Sequence, residues 1–367
     1  MARSTAFRMV FVGPVFLILV LAVFSAPRSE LRAEQNSVLN VGFVVPLTGP
    51  LSEFGVAIQN GVTLAMDDAH LADRFKPVFE DSRYESLAAT GAFQKLTAVD
   101  RVALSYVFGG PMSETLAPIA EAKRQVMVST EYSPDLTRGR KYVIRFANTA
   151  TDFADTLLRK LRSRGYHRFA IVRCENQYHN TLFSAFQARL AADEELIVVG
   201  NYLPGEQDFR SAVTKLRTQK FDALGLYLLP GMQNAFVRQL QSSSSRYPLF
   251  GTDTFETDGE NVGVEEAVSG AMYANATVEP EFRKRYREHF GNESQLVHAA
   301  LAYEFMRLLG QRVTGETNAE QIVELLSTTP EQRGSLGNYR FSSSPEEGMH
   351  FEFPLSVKET LKSNVAG

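Results

Sequence analysis

VGFVVPLTGPLSEFGVAIQNGVTLAMDDA, residues Val41 to Ala69, decides the fold. The apolar run Leu39 to Val45 has the length of a strand and no alternation, which predicts a strand buried on both faces. After the turn formers Pro46 to Pro50, the residues Ile58, Val62, Ala65, Met66 and Ala69 recur at helical spacing. The stretch is therefore a β-α unit.

The same unit repeats on the carboxyl side. Val78 to Glu80 precedes a helical pattern over Leu87 to Leu96, Val102 to Phe108 precedes Thr115 to Ala122, and Val126 to Ser129 follows as another strand. After the interruption PDLTRGRK, Pro134 to Lys141, the scheme resumes. A helix over Phe153 to Leu161 leads to strand Phe169 to Arg173, helix Leu182 to Leu190, strand Leu196 to Val199, helix Phe209 to Leu216, strand Ala223 to Leu229 and helix Ala235 to Leu240. Regular βα alternation predicts parallel sheets covered by helices on both faces. From Glu279 the pattern turns helical over Phe282 to Phe290, Leu296 to Leu309 and Ile322 to Leu326, and two strand-like pieces, Asn338 to Phe341 and Met349 to Phe353, finish the chain. The expected fold class is α/β, with two Rossmann-like lobes joined by a multi-crossing hinge. Residues 39–149 with about 277–335 form the first lobe, and 150–276 with about 336–357 the second.

At 367 residues, 44% hydrophobic and 22% charged, the composition is that of an ordinary globular chain of two lobes. Arg3 and Arg8 precede an apolar stretch from Met9 to Ala26, and Leu31-Arg32-Ala33 closes the segment. This is the order of a secretory leader over residues 1–33, cleaved after Ala33. The alternative is a retained anchor, since the run approaches the ~20 residues that span a bilayer; Gly13, Pro14 and the small residue at the cleavage position favour removal. Loss of Arg3, Arg8, Arg28, Arg32 and Glu30 removes a net +3 and takes the formal charge from −4 to −7. An acidic exported chain argues against a nucleic-acid partner. The one cysteine, Cys174, has no intrachain partner and ends an apolar run, so it reads as a buried thiol.

The opening stretch resembles the start of the branched-chain amino-acid-binding (Leu/Ile/Val) family, the type I periplasmic solute-binding proteins of ABC transporters. Gly49-Pro50 and Phe54-Gly55 stand where that family has its turn and the aromatic leading into a long helix. The likeness continues through FGGPMSETLAPIAEAKRQVMVSTEYSP (Phe108 to Pro134), RFAIVRCENQYHNT (Arg168 to Thr181), PGEQDFRSAVTKL (Pro204 to Leu216) and LFGTDTF (Leu249 to Phe255). It implies an exported receptor, with periplasmic localisation, that captures a small polar solute, an amino acid or a related amide or amine, between two lobes. Permease subunits in the inner membrane would be its partners and a monomer its state. A ligand-sensing module of a regulatory system uses the same fold and is the alternative.

Open α/β sheets bind ligands beyond the carboxyl ends of their strands, beside helix N-termini with free N–H groups. Gly109, Gly110, Met112 and Ser113 follow a strand and begin a helix, so Ser113 either caps the helix or holds an anionic group. Ser129, Thr130, Glu131 and Tyr132 end the next strand. The resemblance implies that Phe54, Met112, Ser113, Thr130, Tyr132, Tyr178 and Asp253 bind the ligand, with Asp253 pairing an ammonium; Tyr227 is a weaker candidate. Two departures bear on the ligand. His179 replaces the family's usual glycine, and Glu131 and Tyr132 stand where small or hydroxyl residues are typical. With Glu131 facing the cleft, a neutral compound, an amide or an amine is expected; with Glu131 facing outward, an amino acid.

The sequence contains no G-x-S-x-G elbow, phosphate loop or G-x-G-x-x-G fingerprint. Asp67, Asp68 and His70 read as a solvated helix face rather than a metal site. No enzyme, cofactor or metal is expected. N-terminal sequencing of the exported protein should begin at or near Glu34; a full-length chain retained in the membrane would contradict the cleavage.

Overall fold

The computed structural model describes Met1 and residues 38–360, apart from 244, 258 and 314–316. Apart from Met1, the expected leader lies outside the described residues. Among these, no helix is long and apolar enough to cross a membrane.

Strand β1 (Leu39–Val45) pairs in parallel with β2 (Phe75–Asp81) on one side and β3 (Leu104–Val107) on the other. Its interior position explains the run Val41 to Val45, every residue of which is buried, because both faces are covered. Strands β4 (Val126–Ser129) and β5 (Val143–Arg145) extend the parallel array. The β5 edge then receives β13 (Gly348–Glu352), which pairs antiparallel with β12 (Gly337–Ser344), and that with β11 (Gln332–Gly334). The order of this sheet is β11-β12-β13-β5-β4-β3-β1-β2.

The second sheet runs β14-β10-β9-β8-β6-β7. Strands β6 (Arg168–Cys174), β7 (Glu195–Tyr202), β8 (Ala223–Tyr227), β9 (Leu249–Gly251) and β10 (Met272–Ala276) are parallel, and β14 (Leu355–Glu359) closes one edge antiparallel. Cys174, at the end of β6, is buried, and burial pushes its thiol up to about 11. The chain passes between the sheets after β5, after β10 and after β13. The boundary expected near residue 336 is corrected: residues 337–352 pair in the first sheet, because the β5 edge accepts β13 at Arg145 opposite His350, and Phe351 packs on Phe146 with centroids 4.9 Å apart. Only β14 returns to the second sheet. Two of the passages are tied together, for the Asn148 amide donates to the Phe353 carbonyl at 2.9 Å and the Phe353 N–H returns to Asn148 Oδ1 at 3.3 Å.

Helices α1 (Ser52–Asp68), α2 (Ser86–Ala98) and α3 (Gly110–Lys123) belong to the first βα units, and α4 (Ala150–Ser163) opens the second set, its start fixed by a Thr149–Asp152 capping box. Helices α5 (Gln177–Ala188), α6 (Arg210–Leu216), α7 (Met232–Ser242) and the short α8 (Glu265–Val268) follow. Helices α9 (Pro280–Phe290), α10 (Leu296–Arg312) and α11 (Ala319–Ser327) put Phe282, Phe305, Leu309 and Ile322 into the core of the first sheet. The contact of α1 with α10 is close: a Cβ at Gly61 would stand 2.0 Å from the Ala299 carbonyl oxygen. Asp68, read above as solvated, instead pairs with Arg285 of α9 and accepts from the Tyr303 hydroxyl of α10 at 3.0 Å.

Gly61→Ala should therefore cost about 1–3 kcal/mol by overpacking in urea unfolding. Gly91→Ala, on an open face of α2 with nothing within 4 Å of the new methyl, should leave stability unchanged or raise it by up to ~1 kcal/mol.

Candidate binding site

The carboxyl ends of strands from both sheets open on one cleft of about 620 Å³, part of it open to solvent. From the first sheet, the end of β3 supplies Phe108, Gly109 and Gly110, and the end of β4 supplies Thr130, Glu131 and Tyr132. From the second, α5 brings Tyr178 from its first turn, the end of β8 brings Leu229 and Pro230, and the short 3-10 turn after β9 brings Asp253 and Thr254. Phe54 at the start of α1 and Gln295 and His298 at the start of α10 complete the wall.

The wall is aromatic. Phe54 stacks on Phe108 with centroids 5.2 Å apart, and His298 sets its edge against both, at 5.1 and 5.2 Å. Tyr84 lies 6.4 Å from Phe108, and across the cleft Tyr132 lies 5.8 Å from Tyr178. Burial pushes the His298 imidazole down to about 4, so the ring is neutral, and its 3.9 Å approach to Asp253 is not an ion pair at neutral pH.

Two carboxylates face this space, Asp253 half-buried and Glu131 buried. The Tyr178 hydroxyl donates to Asp253 Oδ1 at 2.5 Å. Burial holds the Asp253 carboxyl above its ordinary value, against the opposing pull of that hydrogen bond and of Lys358. Glu131 is 3% exposed, and its Oε1 has no hydrogen-bond partner among the described residues. Its other oxygen stands over the first residue of α3, where a Cβ at Gly110 would lie 2.6 Å away, so only glycine lets the carboxylate sit there. Burial pushes Glu131 up to about 7, and the charge of Glu114 adds to this; the backbone N–H groups of Tyr132 and Ser133 and the Arg145 guanidinium oppose it. Arg145 itself is fully buried, donates to the Ser133 carbonyl at 3.0 Å and Thr137 Oγ1 at 3.1 Å, and does not line the cleft.

Of the expected residues, Phe54, Thr130, Tyr132, Tyr178 and Asp253 are brought together around the cleft. Met112 and Ser113 are not. Met112 points into the core shared with Leu116 and Val143. Ser113 spends its hydroxyl on Ser129 Oγ at 2.7 Å, both residues being fully buried, and α3 starts with no side-chain cap. Tyr227 lines a smaller pocket behind Tyr178 and Asp253. His179 turns into the protein, with its backbone N–H capped by Asn176 Oδ1 at 2.8 Å. Tyr84, Gln295 and His298 were not anticipated. His298 lies within a long apolar helical run, so no local pattern marks it. Tyr84 follows β2 and was legible only as one more aromatic.

The periplasmic binding protein family model matches residues 38–351, and the chain belongs to that family. The Leu/Ile/Val-binding protein BraC3 of Rhizobium johnstonii is 26% identical over 254 residues, 65% of this chain and 68% of that protein. Among solved structures, the branched-chain amino acid transporter substrate binding protein LivJ of Streptococcus pneumoniae, in complex with isoleucine, superposes with a TM-score of 0.76 at 20% identity, covering 90% of this chain and 98% of that one. A solute binding protein of Rhodopseudomonas palustris in complex with 3,4-dihydroxy benzoic acid gives 0.74 at 17% identity, covering 88% and 93%. These superpositions share the two-sheet fold.

The raised Glu131 pKa sets a pH dependence. A carboxyl at about 7 in the folded protein against an ordinary 4.5 stabilises the fold fully below pH ~4.5 and loses that contribution as pH rises through 7. The loss is of order 3 kcal/mol. Ligand-free Glu131→Gln should therefore match the parent near pH 4.5 and exceed it in unfolding free energy by about 2–3 kcal/mol at pH 8. Parallel curves at both pH values would show that Glu131 is ionised at little cost.

Proposed function

We propose that this chain is the extracytoplasmic solute-binding component of an ABC importer, capturing a small polar ligand between its lobes and presenting it to a permease in the inner membrane. The observation that carries the reading is a cleft at the strand carboxyl ends of both sheets, walled by aromatics and holding one acid from each sheet. A ligand touching both acids links the lobes. With three chain passages acting as the hinge, occupancy favours the closed state by its differential contacts.

Within this reading Phe54, Thr130, Tyr132, Tyr178 and Asp253 contact the solute, joined by Glu131 and His298. Asp253, oriented by Tyr178, takes a positive or hydrogen-bond-donating end of the ligand. The ligand is an amino acid, the solute class named for the BraC3 and LivJ relatives, or a related amide or amine.

Mass spectrometry of solute released on denaturing the natively purified protein identifies the ligand, and titration calorimetry with it measures the role of Asp253. Asp253→Asn should weaken binding by about 30-fold to several thousand-fold, corresponding to ~2–5 kcal/mol. Saturating ligand should also shrink the radius of gyration in small-angle scattering. Unchanged affinity with a fall of about 1 kcal/mol in stability would make Asp253 a turn cap only.

A further inference from the structure

The charge inventory of the cleft is one-sided. Glu131 enters from the first sheet and Asp253 from the second; among the described residues no Lys or Arg lines the space, and Arg283 and Lys358 line only the adjoining pocket on the far side of Asp253, Gln295 and His298. The cations nearest these acids are committed elsewhere: Arg145 donates to Ser133 and Thr137 behind Glu131, and Lys358 pairs with Glu256. At the start of α3, where a helix would offer N–H groups to an anion, Glu131 already stands over Gly110, and the next residue, Pro111, has no N–H to offer. The protein's own carboxylate fills the anion end of the site.

A ligand carboxylate entering this space would meet two acids, while the cations around it are already paired, Lys358 with Glu256 and Arg283 with Glu293. An ammonium meets the reverse. It finds the unpartnered Glu131 Oε1, a second carboxylate already oriented by Tyr178, and the aromatic wall of Phe54, Phe108 and Tyr132 for its apolar body. We propose that the solute is a small organic amine, bound as its cation, with an apolar body and no carboxylate, held by Glu131 and Asp253 from opposite sheets. The assignment rests on the solute-binding reading above. It separates this cleft from the isoleucine and dihydroxybenzoate complexes of the structural neighbours, whose ligands carry carboxylates.

The test is calorimetric titration of the ligand-free protein at neutral pH with matched compounds: isopentylamine against leucine, and benzylamine against benzamide and benzoate. Each amine should bind at least about 10-fold tighter than its carboxylate-bearing or neutral counterpart, and Glu131→Gln, checked for folding by its melt, should lower amine affinity by about 30-fold or more and narrow the preference. Tighter binding of leucine or benzoate, or benzamide equal to benzylamine, overturns the amine assignment and leaves the solute-binding reading standing. Should no compound bind, the solute released from the native protein decides: an amine without a carboxylate supports the assignment, a carboxylate overturns it, and no released solute overturns both readings.

Discussion

Everything in this molecule depends on the fact that parallel strands cannot be joined by a tight turn. Each must return through a longer crossover, a helix at most steps and a 3-10 turn between β4 and β5, and the return leaves strand carboxyl ends, with the loops that follow them, along one edge of the sheet. Two such sheets meet edge to edge at the cleft. No single element builds it: Glu131, Tyr178 and His298 come from the end of β4, the start of α5 and the start of α10. The three passages between the sheets, two of them tied by the Asn148–Phe353 pair, join the parts of the chain that carry these contributions.

The first sheet carries an unusual load of buried charge. Arg145 is fully buried at the end of β5, close to the place where β13 joins the edge, and burial pulls its guanidinium down to about 10. Glu131 is buried nearby, yet the two do not form a close ion pair, and Arg145 spends its donors on Ser133 and Thr137. A glutamate buried without a close counter-charge costs stability when ionised. Such a cost is characteristic of groups placed for a ligand rather than for folding. Gly110 is part of the same arrangement, since any side chain there would displace the carboxylate.

Membership of the periplasmic binding protein family accounts for the two-lobed frame. It does not by itself specify the solute. Neighbours at 20% and 17% identity hold isoleucine and a dihydroxybenzoic acid in the same fold, which shows how far the chemistry of the cleft can change while the sheets persist. Here, after β3 and β4, Ser113 and Ser129 satisfy each other beneath the surface while the buried Glu131 lines the cleft.

The sequence by itself determined the α/β class, the first βα units, the glycine turn before α3 and most of the aromatic and acidic residues that meet in the cleft. These are legible because they depend on short-range periodicity and on strand ends that lie close to their helices in the chain. It left open which way Glu131 points, and its reading placed Met112 and Ser113 at the site. A residue at a strand end can turn toward the cleft or toward the core, and the choice is made by what already fills each side. The membership of β12 and β13, the entry of His298 and the one-sided charge of the cleft were likewise decided only in three dimensions, because each depends on the pairing of segments that lie far apart in the chain.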